Sequence, residues 1–405
     1  MDHKRPRQVV ILAGGRGTRL APLTDTMPKT MIKFHGKPFL EYLVESVRDQ
    51  GFDRILLLLG YLPHVIQNYF RDGSAFGVCI DYSVSAVENE TGLRLKLAYD
   101  NLDSCFLLMY SDNYWPLRFD AMWDHFVGSE ALAQLTVYTN EDNYSKSNVS
   151  VDAGGRVTLY DKSKSSKDLR GVEIGFAILK KEVCDLLPRD NVNFESVIYP
   201  RLVQEGQLVA FRTSHRYYSV GSHERLRLTE QFLRRRRAII LDRDGVLNEK
   251  PSKAEYVTSW SSFKWLAGVQ EALRLLKLSG YTIIVITNQA GIARGFMTES
   301  ELIQVHERMK SELSAHRAFI DAIYYCPHGW DEGCFCRKPQ PGMLFMAQRD
   351  FHLDLTRTYF IGDDIRDVEA GAAAGCPTFL VDSEWPLLRL VKEKIVQVRP
   401  FSAQL

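Results

Sequence analysis

Asp242-Arg243-Asp244-Gly245 follows directly on the apolar run Ala238-Ile239-Ile240-Leu241. Carboxylates at i and i+2 point the same way from an extended chain, and the glycine lets the chain turn sharply over them. Such a pair repels unless a cation or a shared proton intervenes, so the spacing asks for a metal or for divided labour between the two acids. Thr287-Asn288, Arg337-Lys338-Pro339 and Gly362-Asp363-Asp364 stand where three other strands should end. Open parallel sheets bind ligands outside the carboxyl ends of their strands. Cys326, His328, Cys334 and Cys336 offer three thiols and an imidazole within eleven residues, a set that suits tetrahedral Zn²⁺ and leaves no open position. A structural zinc is therefore expected in preference to a disulfide. Because Cys336 is two residues from Lys338, fixing that loop would also fix Arg337 and Lys338.

The first half carries a different pattern. Val9-Val10-Ile11-Leu12-Ala13 leads into Gly14-Gly15-Arg16-Gly17-Thr18-Arg19-Leu20. A glycine-rich turn after a strand brings backbone N–H groups close to phosphate oxygens. Arg19 and Lys29 add two cations that can balance a triphosphate and the pyrophosphate that leaves it.

These groups need a scaffold, and 405 residues are enough for two or three domains. Fifty-one basic and fifty acidic residues leave a formal charge of +1, too little to hold DNA, RNA or an anionic membrane. Hydrophobic content of 45 % and charged content of 25 % set aside wholesale disorder, collagen and coiled coil. The longest apolar stretch, around Ile55 to Leu59, falls far short of the ~20 residues of a membrane helix. The charged start, Met1 to Arg7, has neither a signal h-region nor a transit helix, so a soluble cytoplasmic protein is expected. Cys79, Cys105, Cys184 and Cys376 stand singly and read as small hydrophobes in a reducing compartment.

Short apolar runs alternate with helix-period segments along the whole chain, the pattern of parallel sheets covered by helices. Strands are expected over 8–13, 54–59, 78–82, 106–110, 132–138, 157–160 and 175–179, with helices over 38–51 and 64–70. A basic helical stretch from His223 to Arg237 then meets a new strand at Ala238, which sets a boundary near residue 230. Beyond it, strands are expected over 238–241, 281–286, 322–325, 358–361 and 378–381. Ser163 to Asp168 reads as a mobile surface loop.

Asp-x-Asp-Gly, a threonine after a strand, a lysine and a Gly-Asp-Asp loop, all in order over 238–382, resemble the haloacid dehalogenase superfamily of phosphatases. The resemblance implies that Asp242 is the nucleophile and forms an aspartyl phosphate. Asp244 would protonate the departing sugar oxygen and then take a proton from water. Thr287 and Lys338 would hold the phosphoryl oxygens. Mg²⁺ would sit on Asp242, the Asp244 carbonyl and Asp363, with Asp364 assisting it or orienting Lys338. The cysteine insert, Arg337-Lys338-Pro339 and Thr287 to Gly295 are similar to the heptose 1,7-bisphosphate and histidinol-phosphate phosphatases. Asn288, Arg294 and Arg337 then become candidates to grip the rest of the substrate, since a guanidinium can hold an anion bidentately.

Leu12 to Thr24, with Pro28-Lys29, resembles the sugar-phosphate nucleotidyltransferases over 8–230. This implies a GT-A-like Rossmann-type fold, with Gly14, Gly15, Gly17 and Thr18 around the nucleotide and Arg19 and Lys29 on its phosphates. Asp112 would hold Mg²⁺, Lys162 would contact the sugar phosphate, and Glu173 and Gly175 would line the sugar pocket. Ser219 stands where this family usually has a second acidic metal ligand, and Asp161 replaces a glutamate before Lys162.

The expected architecture is α/β in two domains. One, over 1–230, is a Rossmann-type nucleotidyltransferase. The other, over 231–405, is a Rossmann-like haloacid dehalogenase phosphatase with a zinc-binding loop. Removing the C7 phosphate of heptose 1,7-bisphosphate yields a heptose 1-phosphate, the kind of acceptor that a nucleotidyltransferase requires. The two halves would then perform consecutive steps toward an NDP-heptose for a bacterial surface glycan, with GTP as the expected donor. Partners would be sugar phosphates, NTP and at most further copies of the chain. A catalytically silent first half, another sugar, or histidinol phosphate as substrate are the alternative readings.

Overall fold

A computed structural model describes residues 5–252 and 254–396. Met1 to Lys4, the first part of the charged start, lie outside the described residues. The chain divides into two compact units, Met1–Arg234 and Arg235–Leu405.

Among the described residues, the main sheet of the first unit has seven strands: β1 (Gln8–Ala13), β2 (Arg54–Leu59), β3 (Cys79–Val84), β4 (Cys105–Tyr110), β5 (Ala133–Tyr138), β6 (Val172–Lys180) and β7 (Leu208–Thr213), while the strand expected over 157–160 pairs with Val149–Val151 in a separate two-stranded ladder. Their order is β7-β5-β6-β4-β1-β2-β3. Val9 and Ile11 pack into one core and Val10 and Leu12 into another, so β1 is apolar on both faces, as a strand covered by helices on each side must be. Helix α1 (Phe39–Asp49) buries Leu40, Leu43, Val44 and Val47, the stripe its spacing predicts.

The sheet is not wholly parallel: β6 runs antiparallel to both β4 and β5. Its register shifts between Glu173 and Ala177, where Gly175 adopts φ +85°. A bulge turns the strand there, and only glycine takes that backbone without strain. Strand β7 is an addition to the expected set. The stretch read as mobile is fastened, because the Asp161 carboxylate accepts backbone N–H bonds from Ser163, Ser165 and Ser166. The helix expected from His223 to Arg237 covers His223–Leu233, stopping short of Arg237. Four successive arginines repel one another along a helix, and Arg235 has φ +51°.

The second unit holds a parallel sheet of β8 (Ala238–Leu241), β9 (Thr282–Asn288), β10 (Ala322–Cys326), β11 (Tyr359–Gly362) and β12 (Thr378–Leu380). The order is β10-β9-β8-β11-β12. From β8 the chain first builds outward through β9 and β10, then returns to lay β11 on the other side. That reversal opens a crevice at the carboxyl ends of β8 and β11, where Asp242 and Asp363 follow their strands. Helices α2 (Glu299–Ala315), α3 (Gly342–Phe351) and α4 (Ile365–Ala374) bury Val305 and Met309, Met343 and Leu344, and Ala370 and Ala374 in the cores that flank the sheet.

Candidate functional sites

In the second unit a cavity of about 640 Å³ opens at that crevice, lined by Asp242, Asp244, Thr287, Lys338 and Asp363 among others. Asp242 Oδ1 lies 2.8 Å from Lys338 Nζ, which also lies 2.6 Å from Asp367 Oδ1. Burial pushes the Asp242 carboxyl up to about 7, against the pull of Lys338. Burial opposes the Lys338 ammonium, yet Asp242 and Asp367 outweigh it and raise its pKa. Lys338 is oriented from α4 by Asp367 and not by Asp364. The Asp364 side chain instead caps that helix and pairs with Arg366 and Lys250.

Asp244 is held by its neighbour Arg243, whose Nη2 donates to both carboxylate oxygens, at 3.0 and 2.9 Å. Asn248 Nδ2 and Gln289 Nε2 each add a bond at 2.9 Å. Burial alone would raise the Asp244 pKa, but Arg243, Asn248 and Gln289 lower it. The Asp244 carboxylate is therefore ionised in the free protein. Arg243 is itself fully buried, and its Nη1 donates to His306 Nε2 at 3.1 Å. This makes His306 a neutral acceptor.

Carboxylate oxygens of Asp242, Asp363 and Asp367 come within 4.8 Å of one another, hard donors of the kind Mg²⁺ takes. Gly245 lets Asp363 approach: a Cβ there, at φ +92°, would meet Asp363 Oδ2 at 2.2 Å. Lys250 Nζ lies 2.7 Å from Asp363 Oδ2 and so neutralises the cluster from the cavity side. Asn288 clamps the Lys338 backbone, accepting from its N–H and donating to its carbonyl, both at 3.0 Å. It also lines the cavity, as does Arg337, whose Nη1 donates to the His328 carbonyl. Arg294 is elsewhere: it is not among the cavity-lining residues, and it bonds the Tyr256 hydroxyl.

Cys326, His328, Cys334 and Cys336 converge as the spacing requires. Sulfur to sulfur separations are 3.3 to 3.6 Å, and His328 Nδ1 is 3.6 and 3.3 Å from the sulfurs of Cys326 and Cys336. These separations exceed the ~2.05 Å of a disulfide and approach the edges of a tetrahedron with Zn–S of about 2.3 Å. The donor set fits Zn²⁺.

In the first unit a cavity of about 350 Å³ is lined by Gly14, Gly15, Lys29 and Asp112, together with the 87–91 segment and Arg94. Lys29 Nζ lies 2.7 Å from Asp112 Oδ2. Burial raises the Asp112 pKa, but Lys29 and then Arg19 more than reverse it, so the group is ionised. Ser219 pairs with Asn113 in a short antiparallel ladder, beside Asp112. It offers a hydroxyl where a second carboxylate was the family expectation. Gly17, Thr18, Arg19, Lys162, Glu173 and Gly175 do not line this cavity. Lys162 Nζ instead pairs with Glu195 at 2.7 Å. Glu173 accepts from the Gly175 N–H, and burial, then Glu195, pushes its pKa well up. A buried Arg94 beneath the glycine turn donates to the carbonyls of Leu59, Ala86 and Val87. A Cβ on Gly14 would strike that guanidinium at 2.5 Å.

Asp367, Gln289, Arg243, His306 and Lys250 were outside the sequence reading. Gln289 lies within the Thr287 to Gly295 run, and Asp367 is the third residue after Asp364, which caps α4, so its carboxylate turns back to accept the Asp363 and Asp364 N–H groups at 3.1 Å.

The fold and the two clefts define an α/β protein with a nucleotide-type phosphate cleft in one unit and an aspartate-based phosphatase centre in the other. The nucleotidyl transferase family matches residues 8–235, and the HAD-hydrolase-like family matches residues 335–385. The D-glycero-β-D-manno-heptose-1,7-bisphosphate 7-phosphatase of Haemophilus influenzae is 42 % identical over 144 residues, 34 % of this chain and 77 % of that protein. A crystal structure of the D,D-heptose 1,7-bisphosphate phosphatase from B. bronchiseptica, complexed with magnesium and phosphate, is 38 % identical. The match covers 38 % of this chain and 85 % of that one, with TM-score 0.35. A Bacillus anthracis protein described as a glucose-1-phosphate thymidylyltransferase, in complex with a sucrose, shares the fold of the first unit. It has TM-score 0.51 and 18 % identity over 56 % of this chain and 95 % of that one. The chain belongs to the nucleotidyl transferase family through its first unit and, through its second, to the family of the heptose-bisphosphate 7-phosphatases.

Proposed function

We propose that the chain is a bifunctional enzyme of nucleotide-activated heptose synthesis, with one reaction in each domain, 1–230 and 231–405. The phosphatase domain hydrolyses the C7 phosphate of heptose 1,7-bisphosphate. The nucleotidyltransferase domain then moves a nucleotidyl group from NTP, with GTP preferred, onto heptose 1-phosphate and releases pyrophosphate. The single observation that carries the reading is the Asp242–Lys338 pair at the floor of a cavity that also presents Asp244.

Asp244 takes up a proton from solvent as the phosphate dianion enters beside it; an Asp242 carboxylate oxygen then attacks phosphorus, the bond from phosphorus to the C7 oxygen breaks, and Asp244 gives that oxygen its proton. Water then attacks the aspartyl phosphate with Asp244 as base, releasing phosphate and restoring Asp242. Lys338 and Thr287 hold the non-bridging oxygens, and Arg337 and Asn288 meet the rest of the substrate. Asp242, the Asp244 carbonyl and Asp363 would hold Mg²⁺, which supplies the positive charge that lets an anionic nucleophile approach an anionic phosphate. The Cys326, His328, Cys334 and Cys336 loop would hold a structural Zn²⁺ that keeps Arg337 and Lys338 in place.

In the first domain the heptose 1-phosphate oxygen attacks the α-phosphorus in line. Gly14, Gly15, Gly17 and Thr18 seat the nucleotide, Arg19 and Lys29 balance the departing pyrophosphate, and Asp112 would hold Mg²⁺. Lys162, Glu173 and Gly175 receive the sugar phosphate. The protein works on small molecules in the cytoplasm; among the described residues no helix is long and apolar enough to cross a membrane.

The test is a two-part assay on the full chain with Mg²⁺. Phosphate release is measured from heptose 1,7-bisphosphate and from histidinol phosphate, and pyrophosphate release from heptose 1-phosphate with each NTP. Turnover of the bisphosphate and pyrophosphate release with GTP are expected. No turnover of the bisphosphate sinks the phosphatase reading, and no pyrophosphate with any NTP sinks the transferase reading.

A further inference from the structure

Three candidates outside the described chemistry stand out. The shallow basic hollow of Arg5, Arg7 and Arg54 has its arginines paired with Asp120, Asp53 and Asp103, so it carries no charge for a ligand. Buried Arg94 spends its donors on backbone carbonyls and on Ser85. Trp330 is different. It lies between His328 and Cys334 on the loop that the four metal-type ligands gather, lines the phosphatase cavity, and is nonetheless 65 % exposed.

A large indole kept at the mouth of an active cavity, instead of folded into a core, is costly to leave in water. Its position is held from behind. The Arg294 guanidinium lies 4.7 Å from the Trp330 ring centroid and also sits over Phe296 and Tyr256, at 5.2 and 5.9 Å. Arg294 further donates to the Tyr256 hydroxyl at 3.0 Å, and Tyr256 is a second aromatic wall of the cavity. A guanidinium stacked among three rings is a brace for aromatic side chains. Pockets of this kind use aromatic faces for the body of a ligand and a few polar groups for its orientation. Here Lys338 is committed to phosphate, Arg337 and Asn288 offer polar contacts to the rest of the substrate, and Trp330 and Tyr256 are the aromatic faces in the lining that a sugar ring can pack against.

The geometry points to Trp330 as the specificity-determining face of the phosphatase cavity, against which the pyranose C–H face of a sugar phosphate packs, with Arg294 as the positioning residue that holds the indole. This rests on the phosphatase reading and names what selects its substrate. The functional part of Arg294 is therefore indirect, in place of a direct grip on the distal phosphate.

The experiment compares wild type, Trp330→Ala, Trp330→Phe and Arg294→Ala, each shown to keep its metal content and circular dichroism. The substrates are heptose 1,7-bisphosphate and acetyl phosphate, which has no ring to stack. Trp330→Ala should raise KM for the bisphosphate roughly tenfold with kcat little changed, as expected for loss of one aromatic contact. Trp330→Phe should recover most of that loss, Arg294→Ala should move KM the same way by less, and acetyl phosphate should be affected far less in each. Equal losses on both substrates, or no loss on the bisphosphate, overturn the inference. Failure of the underlying reading looks different: wild type would cleave acetyl phosphate and not the bisphosphate. The same ratio would then be taken on whichever cyclic sugar phosphate wild type hydrolyses, and wild type hydrolysing none would overturn the inference too.

Discussion

Lys338 and Asp367 form an ion pair at 2.6 Å in which the side chains are 4 % and 1 % exposed. The same ammonium reaches Asp242, so one cation stabilises two buried carboxylates. Removing one partner from such a group strands the others. Lys338→Met is predicted to destabilise the second unit by about 3–5 kcal/mol and to lower phosphate release by at least about 100-fold. Adding Asp242→Asn should recover part of the stability and none of the activity. Urea midpoints with phosphate assays on the single and double variants check this, and a double variant no more stable than the single one counts against it.

Gln289 is predicted to set Asp244 for proton transfer. Its Nε2 donates to Asp244 Oδ2 at 2.9 Å and to Thr287 Oγ1 at 2.8 Å, tying together the proposed acid–base residue and the threonine proposed to hold the phosphate. Gln289→Leu removes one charge-assisted bond and leaves Arg243 and Asn248 in place. A fall in kcat of about tenfold with KM nearly unchanged is expected, read from phosphate release against substrate concentration.

Much of this was legible in the chain because the informative groups sit at strand ends, where an apolar run announces the strand and the next residues must face the crevice. Asp242, Asp244, Thr287 and Asp363 follow that rule; Lys338 does not, because β10 ends at Cys326 and the loop after it, gathered by the cysteines, brings Lys338 into the same cavity. The thiol cluster was legible because its ligands are close in sequence. Part of what stayed hidden is contributed from helices, where spacing fixes a face but not what the face meets. Asp367 on α4 and His306 on α2 look like ordinary helix residues until Lys338 and Arg243 arrive from the loops after β10 and β8, and Arg243, Lys250 and Gln289 sit in loops with no periodicity to mark them. Arg294 was assigned to the substrate because arginines grip phosphates, whereas its aromatic neighbours come from three separate segments. The direction of β6 was hidden for a similar reason, since a nine-residue strand buried along nearly its whole length reads alike in either orientation.

His306 gives the second unit a pH dependence. Burial first, then Arg243, lowers its pKa from 6.5 to about 3. Between those values the unfolded chain binds a proton there and the folded chain does not, so this group's contribution is whole above pH 6.5 and is lost as pH falls toward 3. The slope approaches about 1.4 kcal/mol per pH unit inside that window. His306→Gln keeps an acceptor for Arg243 but cannot titrate, so its urea midpoint should fall less steeply than that of wild type from pH 6.5 to 4.5. Parallel slopes would remove His306 as the cause.

Zinc is predicted to hold the rim of the phosphatase cavity. The isolated protein should contain about one equivalent of zinc per chain, as a four-ligand site requires. Cys334→Ser, which keeps three donors, should lower the zinc content and the melting temperature of the second unit and raise KM for the sugar bisphosphate. Pyrophosphate release by the first unit should stay as it was. Elemental analysis alongside both assays reads all of these at once, and a zinc-free protein with unaltered melting and KM would contradict the assignment.

Ser219 lies beside Asp112 through the pairing of Tyr218-Ser219 with Asn113-Tyr114. Asp112 has Lys29 at 2.7 Å and no second carboxylate in a metal-type cluster among the described residues. One carboxylate already neutralised by an ammonium is a weak holder of Mg²⁺ on its own, and hard divalent cations bind more tightly as ligand charge rises. Ser219→Asp is therefore predicted to lower the Mg²⁺ concentration for half-maximal pyrophosphate release several-fold, while Asp112→Asn abolishes release. The backbone there needs no change, since Ser219 is in a strand and half-buried. A Mg²⁺ titration at fixed GTP and heptose 1-phosphate reads the outcome. If the added carboxylate leaves the midpoint where it was, the metal is held by the nucleotide phosphates and Asp112 alone, and position 219 has no part in it.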